Sequence, residues 1–112
     1  MHVDVSYGEA TIGETIIEGD VLVAWDGSYA MRSKQHRITI EHLVAILQTY
    51  PLCDTFILGI GLNGSVVIEE RAKELLEHKH IEFYIEQTKK AAAIFNAFAK
   101  EKKVVALLHT TL

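Results

Sequence analysis

Gly59, Gly61 and Gly64 stand in the order Gly59-Ile60-Gly61-Leu62-Asn63-Gly64, directly after the apolar residues Phe56, Ile57 and Leu58. This is the G-x-G-x-x-G pattern with which dinucleotide-binding proteins turn off a strand and cradle a pyrophosphate. Glu86, at the end of the next expected strand, could hold a ribose hydroxyl. The surroundings argue against that chemistry. In a phosphate-binding turn the helix begins inside the glycine segment, so that its positive end meets the phosphate. Here Ser65-Val66-Val67-Ile68 intervenes, and a β-branched run makes a poor first helical turn. The helix is expected from Glu69, where the acids Glu69 and Glu70 suit the dipole but would repel a phosphate. Asn63-Gly64 is itself a turn dipeptide, so residues 65–68 read as a short extra strand. A dinucleotide fingerprint also opens its sheet, whereas too few residues follow Gly64 for two mononucleotide-binding halves. The glycines are read as a sharp turn, and no cofactor is expected.

A second constellation gathers around the same glycines. If the strands expected at 55–60, 81–86 and 104–108 run parallel, their carboxyl ends share one edge, where open α/β sheets bind ligands. That edge collects Gly59, Gly61, Asn63, Gly64, Glu86, Thr88, His109 and Thr111. Thr88 is expected to be the N-cap of the last helix, leaving nearby amides for a small anion or carboxylate. His109 would be placed to shuttle a proton. No acid partner and no nucleophile complete a catalytic set, so the favoured alternative has Thr88 capping and His109 satisfying a buried carbonyl. Arg32 and His36, with Lys34 and Arg37, form a smaller basic cluster that offers a second anion site or simply an exposed loop.

The remaining reactive residue types carry less. His78 and His80 lack a carboxylate or cysteine at metal-ligand spacing, so no metal site is expected. Glu69 and Glu70 are adjacent on a helix and point in different directions, so they cannot flank one substrate. Cys53 has neither a Cys-x-x-Cys partner nor a basic neighbour and is read as a buried structural thiol.

The elements that must position these groups follow from periodicity. Val3, Val5 and Tyr7 alternate with polar neighbours, and Gly8, Gly13 and Gly19 punctuate short β pieces. Asp26-Gly27 between residues 21–25 and 29–32 signals a hairpin. Ile40, Leu43, Val44 and Leu47 recur at helical spacing until Pro51 stops them. Beyond lie a strand at 55–60, a helix at 69–78, a strand at 81–86, a helix at 88–100 and a strand at 104–108, a β-α-β-α-β unit. Residues 56–58 and 104–108 are continuously apolar, as central strands covered on both faces require. Residues 81–86 alternate, so that strand belongs near an edge, where a second copy could pair with it. Ala91, Ile94, Phe95 and Phe98 form a core-facing stripe.

With 112 residues, 49% hydrophobic and 23% charged, the chain fits one α/β domain spanning 1–112. Its net charge of −4 and scattered lysines and arginines exclude nucleic acid as the main partner. A single cysteine allows no intrachain disulfide and suits a reducing compartment. No apolar run approaches a membrane span, and the amino end lacks a basic, apolar leader, so a cytoplasmic location without membrane association is expected.

Taken in order, Tyr7-Gly8, Asp26-Gly27, Arg32 with His36, Leu58-Gly59-Ile60-Gly61, Thr88-x-x-Ala91 leading to Phe95-Asn96, and Val105-Ala106-x-x-His109-x-Thr111 resemble the Mth-domain family. The likeness covers the chain from about Val5 onward. That family includes an adipogenesis-associated protein and a mitochondrial respiratory complex I assembly factor. The resemblance implies a three-layer α/β fold with a mixed central sheet, an N-terminal β-hairpin layer and helices on its faces. It brings no settled activity and no catalytic residues. Leu112 stands where relatives are expected to carry Cys, and Ile68-Glu69 lacks a Pro often found before that helix. The expected function is an accessory or protein-interaction domain. The alternative is a binding protein or enzyme for a small anionic metabolite at the edge of Gly61, Thr88 and His109.

Overall fold

The computed structural model describes Met1–Leu112. Ten strands and three helices follow one another: β1 (Val3–Ser6), β2 (Glu9–Ile12), β3 (Thr15–Glu18), β4 (Asp20–Ala24), β5 (Tyr29–Arg32), β6 (Arg37–Ile38), α1 (Ile40–Thr49), β7 (Thr55–Gly59), β8 (Val67–Ile68), α2 (Glu70–His78), β9 (Glu82–Glu86), α3 (Thr88–Phe98) and β10 (Val104–Leu108). The central sheet has the order β5-β4-β10-β7-β9. β7 lies parallel to both β10 and β9, whereas β4 runs antiparallel to β10 and to β5, so the sheet is mixed. β9 is an edge strand, as its alternation requires.

The two continuously apolar strands are explained by the layers. Leu22, Ala24, Phe56, Leu58, Val105 and Leu107 face one side, where Leu43 and Ile46 of α1 and Ala72 and Leu76 of α2 cover them. Val21, Val23, Ile57, Val104, Ala106 and Leu108 face the other, against Ala91, Ala92 and Phe95 of α3 and Val3, Val5, Ala10 and Ile12 of the first hairpin. The chain is therefore a three-layer α/β fold. The hairpin turning at Asp26-Gly27 belongs to the central sheet, and the added layer is the antiparallel meander β1-β2-β3. Asp26 stabilises its turn by accepting from Ser28 N at 3.0 Å and Ser28 Oγ at 2.6 Å. These bonds hold its carboxyl below the ordinary carboxylate value.

Local sequence sets the helix ends. Thr39 caps α1 by accepting from His42 N at 3.2 Å, and His42 Nδ1 accepts Thr39 N at 3.0 Å, a reciprocal capping box. α2 begins at Glu70 rather than Glu69. Glu69 is the N-cap residue, yet its carboxylate turns away to Ile40 N at 3.3 Å and to Arg37 at 3.8 Å. The extra strand expected at 65–68 exists as β8, paired in parallel with β6. α3 ends at Phe98, two residues short of Lys100, where Lys102 N returns to Phe98 O at 2.8 Å. No helix is long and apolar enough to cross a membrane.

Candidate functional site

Parallel pairing of β7 with β9 and β10 brings Gly59, Glu86 and Leu108 to one edge of the sheet. The segments leaving these strands are bonded to one another. His109 N donates to Gly59 O at 3.0 Å, Ile60 N to Glu86 O at 2.9 Å, Thr88 N to Gly61 O at 3.1 Å, and Leu62 N to Thr111 O at 2.8 Å. Thr88 is not the N-cap of α3: that position is Gln87, which makes no side-chain capping bond. Fully buried one residue further on, the Thr88 hydroxyl donates to His109 O at 2.6 Å and accepts Gly61 N at 2.8 Å. It pins three segments together, and the hydroxyl itself is committed to those bonds.

This arrangement accounts for the glycines. Gly61 has φ +105°, and a Cβ there would overlap the Leu112 carbonyl and approach His109 Cδ2 at 3.1 Å. A Cβ on Gly59 would lie 3.0 Å from both Leu108 Cδ2 and Thr88 Oγ1. The motif is a crossing point for main chain. The amides of Ile60, Gly61, Leu62 and Gly64 all have partners inside the protein, so a pyrophosphate would find no cradle. Asn63 is exposed, and Glu86 pairs with Lys90 at 3.5 Å on the surface.

His109 is 3% exposed and engaged at both ring nitrogens. Nδ1 lies 2.8 Å from Asp20 Oδ2, and Nε2 lies 3.0 Å from Thr111 Oγ1. An ionised carboxylate only accepts, so Nδ1 carries the hydrogen, and in the neutral ring Nε2 accepts from the Thr111 hydroxyl. Asp20, itself 6% exposed, also accepts Thr110 N at 3.1 Å through Oδ1. Asp20 is thus the acid partner that sequence reasoning missed. Its one sequence signal is an acid at the head of the otherwise apolar segment Asp20-Val21-Leu22-Val23-Ala24. Hydroxyl, imidazole and carboxylate lie in the order of a catalytic relay. Thr111, however, lies outside the recess beside His109, and the neighbouring amides of Gly61 and Leu62 are already bonded, so neither is free to receive an oxyanion.

That recess opens on the α1 side of the sheet end. Its lining combines apolar Leu58 and Leu107 with Gly59, the Asp20–His109 pair, and polar Arg32, Ser33, Gln35 and His42. It encloses about 320 Å³ including its mouth, but the centre of a water-sized body can range over only about 10 Å³, which suits a water or a very small ion and not a nucleotide. Arg32 belongs to none of the chain's ion pairs. The His42 Nδ1 acceptor role in the α1 cap leaves Nε2 as its donor. His36 packs its ring edge-to-face on His109 at 5.4 Å. The strand-end set and the Arg32–His36 cluster, separate in sequence, therefore meet at His109. Gly61, Asn63, Gly64, Glu86, Thr88 and Thr111 lie outside the recess. No group of three or more His, Cys, Asp or Glu side chains is placed to hold a metal ion.

A mixed five-stranded sheet, helices on both faces, an antiparallel meander completing one layer and a strand-end edge sewn shut define a small α/β domain class without declared chemistry. The chain belongs to the protein family of unknown function DUF498/DUF598, whose model matches residues 4–109. Among solved structures it is similar to a conserved hypothetical protein, PH1505, from Pyrococcus horikoshii OT3, with 21% identity, full coverage of both chains and a TM-score of 0.85. It is also similar to MT938, at 20% identity over 99% of this chain and 98% of that one, with a TM-score of 0.79. A Mth938-like domain protein from Bordetella pertussis aligns at 15% identity over 96% of this chain and 85% of that one, with a TM-score of 0.68. The resemblance to Mth-domain proteins is borne out. No curated protein matches the chain.

Proposed function

We propose that this chain is an accessory, protein-interaction domain that performs no covalent chemistry of its own and receives its partner by strand addition along β5. The observation that carries the reading is the state of that edge. Tyr29, Ala30 and Met31 are all exposed, Met31 by 69%, in an outermost strand that has a neighbour on one side only. Natural sheets usually protect such an edge with charges, proline or a covering segment. The engagement of Thr88, His109 and the glycine amides supports the non-catalytic part, and the lone buried Cys53 suits a reducing compartment such as the cytoplasm. Affinity capture from the native cell tests it. The wild-type chain should retain a stoichiometric protein under gentle lysis, and Met31→Lys should lose it. A blank with wild type, or equal retention by the variant, would sink the proposal.

The presence of Arg32, which joins no ion pair, and of His42 in one lining favours a second reading, in which the recess takes a very small inorganic or carboxylate anion. A ligand at a hundred times its Kd adds about 2.7 kcal/mol of stability. A thermal-shift series with phosphate, formate and acetate should therefore raise the melting temperature of wild type and not of Arg32→Gln. Equal shifts in both would place the anion elsewhere.

A further inference from the structure

We infer that the strand added to β5 is β5 of a second copy of this chain, antiparallel about a two-fold axis at Ala30. The inference rests on the interaction reading above and names its partner. The register of β4 on β5 decides which main-chain groups are free. Residues Asp20 to Val23 pair with Arg32 to Tyr29, and Ala24 N donates to Ser28 O at 3.0 Å in the same register. Hydrogen-bonded and non-bonded pairs alternate along an antiparallel ladder, so Ala30 and Arg32 point their amides and carbonyls at β4. Tyr29 and Met31 point theirs outward.

Symmetric pairing about Ala30 sets Tyr29 of each copy opposite Met31 of the other. Those are the residues with free N–H and C=O groups, and each such pair exchanges both bonds. The same register lays each Tyr29 ring on a Met31 thioether, a favourable sulfur–aromatic contact across strands. It also brings Asp26 of one copy toward Lys34 of the other, twice, so the flanks are complementary in charge. The opposite edge is built the other way. Symmetric pairing of β9 about Tyr84 would set Glu82 against Glu86 of the second copy at both ends, and like charges directly opposite are destabilising. The result is one continuous sheet through both protomers, joined at β5.

The non-bonded pair at the axis gives a sharp test. Its Cα atoms approach to about 4.5 Å, within disulfide range, whereas Met31 and its symmetry mate are two residues out of register and beyond reach. Native Cys53 is buried and does not compete. Full-length Ala30→Cys should form a disulfide-linked dimer under mild oxidation at least about tenfold faster than Met31→Cys. Wild type should sediment as a dimer that Met31→Lys converts to monomer, with an unchanged circular dichroism spectrum. Equal cross-linking at both positions would overturn the register. A wild type monomeric at high micromolar concentration, with no Ala30→Cys dimer, would overturn the inference. If that monomer still captures another protein and Met31→Lys does not, the strand-addition reading survives alone; if neither occurs, both fall.

Discussion

Gly61 shows how much a single missing methyl group can decide. Its backbone lies at a positive φ and its α-carbon faces the Leu112 carbonyl, so Gly61→Ala combines backbone strain with overpacking. A loss of about 2–4 kcal/mol is expected in urea unfolding, with a smaller loss for Gly59→Ala, whose neighbours are side chains with some freedom to yield. The Asp20–His109 pair carries a comparable load. Asp20→Ala would leave the His109 ring N–H and Thr110 N–H buried without acceptors, at about 1–3 kcal/mol each, whereas Asp20→Asn should lose less, because its amide oxygen can accept Thr110 N–H while its NH2 donates to Nδ1 of the other His109 tautomer, whose Nε2–H then donates to Thr111 Oγ1. Cys53 is pushed up to about 11, chiefly by burial, and its Sγ donates to Thr55 O at 3.3 Å. Since the unfolded thiol ionises near its ordinary value of 9.0, the unfolded chain loses its proton first as pH rises. Stability from this group is therefore intact below pH 9 and declines toward pH 11. Alkylation of the native protein at pH 8 should be slow until denaturant is added. Of these residues the sequence flagged the glycines, His109 and the inert thiol. Asp20 escaped because its partner lies 89 positions away and no local spacing records such a contact.

Among the elements, the meander is attached to the rest of the fold by an unusual strand partner. The Asn96 side chain of α3 accepts Val3 N and donates to Val3 O, both at 2.9 Å, so an amide side chain completes the outer edge of β1 as a neighbouring strand would. Asn96→Ala should speed amide exchange across β1 and β2 while leaving β7 and β10 protected, and Asn96→Asp should fail to restore it because a carboxylate cannot donate to Val3 O. The aromatic-Asn step was visible as a motif, but its task was not, since β1 and α3 stand far apart in the chain. Most elements were legible for a physical reason: burial on two faces demands an unbroken apolar run, and burial on one demands a period. β6 was not, because two residues, Arg37 and Ile38, are too few to show a period and their strand character comes from pairing with the distant β8. Nor could periodicity show that the Asp26-Gly27 hairpin joins the main sheet, since hairpin chemistry is the same in either layer.

Across the whole molecule, residues 109–111 act as a seam. Thr110 O accepts from Gly8 N at 2.8 Å in the first hairpin turn, Thr110 Oγ1 donates to Gly19 O at 2.8 Å ahead of β4, and Thr111 O accepts from Leu62 N at 2.8 Å beyond β7. Removing residues 110–112 should lower the melting temperature by more than about 5–10 °C, on the order of 2 kcal/mol for a domain of this size, and should uncouple exchange in the meander from that in the main sheet. An unchanged melting curve would show that the seam contributes little. The strand ahead of that seam has a further consequence for biosynthesis. β10 is the last strand in order and the middle one in space, so β4 and β7 have no common neighbour until residues 104–108 have left the ribosome. Until then the pairs β4-β5 and β7-β9 each carry an open inner edge. The central sheet closes only when β10 is available, and in that interval the nascent chain depends on whatever shields exposed strands in the cell.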